Sequence, residues 1–105
     1  MNKKIYSMLG LCMKAGKIAY GSDMCEEKIK YGKVSMLIVA EDASENTKSK
    51  FENLCKNKTI FVEFGSIDEL SIAIGKENKA VVGILDVNFA KRINGMVIET
   101  KGAND

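Results

Sequence analysis

Apolar residues recur at helical spacing over residues 3–14, where Ile5, Met8, Leu9 and Cys12 share one stripe, and Gly16 supplies a left-handed stop. The short "KIAY" (17–20) reads as a small strand. Gly21-Ser22-Asp23 then opens a second helix, in which Asp23 and Glu26 form a D-x-x-E capping box, Cys25 and Ile29 face inward, and Gly32 ends the run. "VSMLIVA" (34–40) is a continuous β-rich apolar run, the pattern of a central strand buried on both faces. A third helix follows, capped by Ser44 or Asp42, with Phe51, Leu54 and Cys55 as its buried stripe. "TIFVEF" (59–64) predicts a strand, and "GSIDELSIAIG" a short helix with an S-x-x-E capping box at Ser66 and Glu69 and a stop at Gly75. After the polar "KENK", "AVVGILD" (80–86) predicts another buried strand and "VNFAKRI" a last helix closed by Gly95. The tail has no strong pattern, so the ordered core is expected over about residues 3–95, with 96–105 frayed.

Alternating helices and strands joined by short connections, with no proline, no linker and no internal repeat, predict one α/β domain over 1–105. Its central sheet, parallel or mixed, is covered by helices on both faces. A hydrophobic content of 46% beside 29% charged residues is that of a folded globular chain. No apolar run approaches the ~20 residues of a membrane span, and the N-terminus lacks a signal-peptide core, so a cytoplasmic protein without a membrane partner is expected.

Charge changes the picture through its distribution. The net charge is only +2, but residues 1–33 hold seven lysines against three acids, whereas residues 34–70 hold four lysines against seven acids. A polyanion should therefore meet the N-terminal third. Lys14 and Lys17 flank the Gly16 turn, Lys28 and Lys33 lie beyond the Gly21 helix start, and the amides of Gly21 and Ser22 are candidate donors to phosphate or a base edge.

Other chemistries find little support. With no histidine and no C-x-x-C pair among Cys12, Cys25 and Cys55, the usual zinc sets and every histidine-dependent base are missing, and the cysteines read as reduced core thiols. There is no Walker or dinucleotide-binding glycine motif. Glu41-Asp42, at the end of the 34–40 run, has the composition of a magnesium site in a phosphoryl-accepting domain. Such a domain also needs a lysine ending a later strand, and 80–86 ends in Asp86; Asp42 as a cap for the following helix is the preferred reading.

"GSDMCEEKIKYGKVSMLIVAEDAS" resembles the signature of the ribosomal protein L-seven-Ae/L-thirty-e family: a glycine turn opening a helix, a second glycine eleven residues on, and a buried strand ending in A-E-D. Gly21, Gly32 and Ala40-Glu41-Asp42 take those positions. "MLGLCMKAGK", "LSIAIGKENKAVVGI" and "NFAKRI" look like the family's bacterial YlxQ-like branch, and the likeness runs over residues 5–94. It implies a three-layer α/β/α sandwich with a mixed four-stranded sheet. It also implies no catalytic residues and no cofactor, RNA as the partner (kink-turn-like or ribosomal, with the ribosome as a setting), and no small-molecule substrate.

The family reads guanines of sheared G·A pairs through a G-x-N-E-x-x-K motif at this helix start. Here Gly21 is kept, while Asp23, Met24 and Glu27 stand at the Asn, Glu and Lys positions. An aspartate accepts from guanine N–H groups but cannot donate to O6, a methionine offers no strong acceptor, and Glu27 reverses a charge. Each lost base-edge contact costs about 1–3 kcal/mol, so guanine readout is expected to be weakened or altered. Lys28 is no simple replacement for the missing lysine, since one residue turns about 100° around a helix. A second RNA-facing element implied by the resemblance is the loop after the fourth helix, with Lys76, Asn78 and Lys79. The expected RNA-binding set is thus Lys14, Lys17, Gly21, Ser22, Asp23, Met24, Glu27, Lys28, Lys76, Asn78 and Lys79. The competing function is a protein-interaction adaptor on the same scaffold that has given up RNA.

Overall fold

A computed structural model describes residues 2–102. The order is α1 (Asn2–Lys14), β1 (Ile18–Tyr20), α2 (Ser22–Lys30), β2 (Met36–Val39), α3 (Glu45–Cys55), β3 (Ile60–Glu63), α4 (Ile67–Ile74), β4 (Val81–Ile84) and α5 (Val87–Gly102). The sheet is mixed and four-stranded in the order β1-β4-β2-β3, with β2 and β3 parallel and the other pairs antiparallel. The two continuous apolar runs are its central strands: every residue of β2 and β4 is buried. Helices α2 and α3 pack together against one face, and α1 packs between α4 and α5 on the other.

The register puts Ile18, Ile84, Met36 and Ile60 in one row across the sheet. That row marks one end of the sheet, from which the turns preceding β1, β2 and β3 leave. The turns after β1, β2 and β3 and before β4 gather at the opposite end. The core between the layers includes Ile5, Leu9, Ile29, Leu37, Phe51, Leu70 and Ile93, all essentially inaccessible to solvent. All three cysteines are buried free thiols within it. Burial pushes them up, Cys12 and Cys55 to about 11 and Cys25 to about 12.

Several local expectations change. Asp23 and Glu26 form no capping box: α2 begins at Ser22 with Gly21 as its N-cap and no side-chain cap. Glu26 instead reaches Lys50 of α3 at 2.8 Å and Lys30 at 3.1 Å, joining the two helices. Those lysines hold its carboxyl below the usual range. Ser44 caps α3, its hydroxyl accepting from the Thr47 N–H. Asp42 caps not that helix but α4, accepting from the Ile67 N–H at 2.9 Å across the chain. Among the described residues no cluster of three potential metal ligands exists, around Glu41-Asp42 or elsewhere. The Ser66–Glu69 capping box and the left-handed stop at Gly75 are both present.

The last helix does not end at Gly95. It continues to Gly102, with Val97 buried and Met96 packed on the core, so residues 96–102 extend α5 within the α1/α4/α5 layer. The remainder of the expected frayed tail, 103–105, lies outside the described residues. No helix among the described residues is long and apolar enough to cross a membrane.

Candidate nucleic-acid interface

Gly21 sits where β1 hands over to α2, at φ 84° and ψ 160°, a conformation essentially restricted to glycine. Its N–H is not free for a ligand, because it donates to the Val81 carbonyl (2.9 Å) and locks the turn onto the start of β4. The open donors are the next three. The first amides of a helix have no intrahelical acceptor, and among the described residues nothing else accepts from the N–H groups of Ser22, Asp23 or Met24.

Pairing of β1 with β4 brings the α4–β4 loop against this turn. A Cβ built on Gly21 would lie 3.7 Å from Lys79 Cδ and 3.8 Å from its Nζ. The Lys76 ammonium stands 4.8 Å from the centroid of the Tyr20 ring and that of Lys79 5.7 Å. Both cations thus share one aromatic ring, and among the described residues neither has a carboxylate within 4.0 Å. Cation–π attraction at exposed sites is worth only about 0.5–1 kcal/mol each, and like charges this close repel, so an anion placed between them is favoured. The loop is held from below by Ser71, which is buried: its hydroxyl accepts from the Lys79 N–H (2.7 Å) and lies 3.4 Å from the Lys79 carbonyl. Asn78 adopts a left-handed conformation at the loop's tip.

The structure therefore brings Gly21, Ser22, Lys76, Asn78 and Lys79 to one end of the sheet. Asp23 and Glu27 project from the exposed side of α2, where with Glu26, Lys30 and Tyr31 they line an open groove of about 380 Å³. Met24 is half-buried and packs on the core. Lys28 is half-buried in the last turn of α2, away from Gly21. Lys14 and Lys17 are not brought to this end. Lys17 precedes β1 and Gly21 follows it, and the three-residue strand between them sets them apart by four extended steps, about 13 Å. Residue patterns missed Tyr20 and Ser71. An aromatic residue before a turn glycine was the available signal for Tyr20; nothing local marks Ser71, whose partner lies beyond the end of its helix.

This three-layer fold and its glycine turn define a class. Residues 3–94 match the ribosomal protein L7Ae/L30e/S12e/Gadd45 family, and the chain belongs to it. It is 35% identical over 100 residues to the RNA-binding protein YlxQ of Enterococcus faecium, covering 90% of this chain and 92% of the relative. To the RNA-binding protein YlxQ of Bacillus subtilis (strain 168) it is 32% identical over 89 residues, with 84% and 89% covered. A Bacillus halodurans protein of unknown function has a similar structure, with a TM-score of 0.85 at 29% identity over 90% of this chain and 96% of that one. A 15.5kD RNA binding protein of Giardia lamblia shares the fold at a TM-score of 0.77 and 20% identity, over 93% and 88% of the two chains.

Proposed function

We propose that this chain is a non-enzymatic, cytoplasmic RNA-binding protein that grips structured RNA, kink-turn-like or ribosomal, between the β1–α2 turn and the α4–β4 loop. The observation that carries the proposal is the pair of Lys76 and Lys79 ammonium groups on the Tyr20 ring, without a carboxylate partner among the described residues, beside the glycine turn and three helix amides that have no acceptor among those residues. Phosphate oxygens suit such a surface, and its backbone donors do not depend on sequence. The relatives named as RNA-binding proteins support the partner class.

Guanine readout is the altered part of this proposal. Asp23 accepts only, Met24 is half-turned into the core, and Glu27 presents a carboxylate on the exposed helix face. Binding is therefore weighted toward phosphates. The test is a titration of the full chain against kink-turn RNA, an RNA duplex and a DNA duplex over a salt series. Steep salt dependence with an RNA preference is expected; absence of any RNA preference at low salt refutes the proposal.

The groove beside α2 favours a second reading, a protein-interaction adaptor. Asp23, Glu27 and Tyr31 follow each other at four-residue intervals along it, a surface suited to a cationic segment rather than to phosphate. Capture of a protein partner that survives nuclease treatment and is lost with Asp23→Lys/Glu27→Lys would favour that reading over RNA binding.

A further inference from the structure

The sheet end opposite the glycine turn carries a second basic surface. Three successive helix-to-strand turns emerge there, and each has a left-handed residue followed at once by a lysine: Gly16-Lys17, Gly32-Lys33 and Asn57-Lys58, at φ 73°, 70° and 66°. The turns are stitched into one rim. The Leu85 N–H donates to the Lys17 carbonyl (2.8 Å), the Ser35 N–H to the Ile84 carbonyl (2.8 Å), and the Thr59 hydroxyl to the Val34 carbonyl (3.3 Å). In the strand order β1-β4-β2-β3, Lys17, Lys33 and Lys58 therefore lie along a line spanning about 14 Å, three strand spacings.

All three lysines are exposed, as are Lys14 and Lys56 in the same turns. Among the described residues none of the five has a carboxylate within 4.0 Å; the paired lysines are Lys30, Lys48 and Lys50. The nearby acids do not neutralise the line. Asp86, which accepts from the Asn88 N–H, keeps its charge at this end, and Glu27 and Glu52 stand about a turn back on α2 and α3, so five lysines face three acids. Lysines at helix C-termini complement the dipole, and one or two need no other reason. Dipole complementarity does not, however, require unpaired lysines in all three turns on one edge.

We infer that this lysine edge is a second RNA-contacting surface, in which Lys17, Lys33 and Lys58, flanked by Lys14 and Lys56, hold a phosphate backbone. The inference rests on the proposed RNA-binding function for its choice of polyanion, but not on the glycine-turn site. One molecule then touches RNA at both ends of its sheet, either two segments of one folded RNA or two strands that it draws together. Contacts here carry no base information, since each is a lysine on a turn with no shaped pocket.

The test is the salt dependence of binding to a short RNA duplex, compared for the full-length wild type and four variants whose folding is checked by circular dichroism and melting. Lys17→Ala/Lys33→Ala/Lys58→Ala should flatten the log K against log salt slope by about 2–3, and the matching Lys→Arg triple should restore it. Lys3→Ala/Lys4→Ala/Lys101→Ala removes equal charge from the far ends of α1 and α5 and should leave most of the slope. Equal slopes for the lysine-edge and far-end variants overturn the inference, as does an unchanged slope in the former. If Lys76→Ala/Lys79→Ala leaves the slope intact while the lysine-edge triple flattens it, the inference stands and the glycine-turn site fails. No salt-sensitive RNA binding by the wild type overturns both.

Discussion

Gly21→Ala tests the backbone on which the candidate interface is built. There is room for the methyl group: the nearest atoms, Lys79 Cδ and Nζ at 3.7 and 3.8 Å, are at ordinary van der Waals distance on a flexible side chain. The penalty is conformational. At φ 84° and ψ 160° an L-residue is strained by about 1–3 kcal/mol, which for a domain of this size lowers Tm by about 5–20 °C. Relaxing to a favourable φ would swing the Gly21 N–H off the Val81 carbonyl, so the chain trades strain for a broken 2.9 Å bond between the turn and β4. Gly95→Ala gives the opposite sign. Gly95 lies inside α5 with nothing within 4 Å of a built Cβ, so alanine should stabilise by about 0.8–1 kcal/mol. Thermal melting and urea titration of both variants against wild type decide the matter. A Gly21→Ala protein melting with the wild type refutes the strain assigned to this turn, and a destabilising Gly95→Ala refutes a continuous α5.

Three further outcomes follow from the same geometry. Ser71→Ala removes the acceptor of the part-buried Lys79 N–H and should cost about 0.5–1.5 kcal/mol in urea unfolding, with faster amide exchange across residues 76–80. For Glu26, a carboxyl held below its usual range stabilises the fold above the unfolded-state value near 4.5 and loses that contribution as pH falls through the folded value. Acid titration of Glu26→Gln should accordingly show a smaller loss of stability below pH 4.5 than wild type. The cysteines have the reverse linkage. Their folded values of about 11–12 exceed the ordinary 9.0, so stability is intact below pH 9 and falls as pH rises toward those values. Iodoacetamide at pH 8 should label none of them without denaturant; prompt labelling of Cys25 would contradict its burial.

What the sequence reveals and hides here has physical causes. The central strands are visible because burial on both faces demands unbroken apolar runs, and 36–39 and 81–84 supply them. Gly75 and the Ser66–Glu69 box announce α4 because both act within a few residues. At Gly95 the local rule loses: the stripe Ala90, Ile93, Val97 continues past the glycine, and packing of that stripe outweighs a helix penalty of about 1 kcal/mol. At α2 the D-x-x-E pattern misleads because Gly21 makes the turn with its backbone, leaving Glu26 to pair with α3. The candidate interface was only half visible. Gly21 and the lysines could be named, but their grouping depends on β1 lying beside β4, which brings together residues about 60 positions apart. That pairing joins Lys79 to Gly21, while the length of β1 keeps Lys14 and Lys17 at the other end.

The central claim, that RNA is held where the glycine turn meets the α4–β4 loop, is tested most directly by Lys76→Ala/Lys79→Ala in a salt-series titration against kink-turn RNA. Loss of two phosphate contacts should reduce the slope of log K against log salt by about 1.4–1.8 and weaken binding at every salt concentration, with melting close to wild type. An unchanged slope and affinity in the folded double variant would contradict the account.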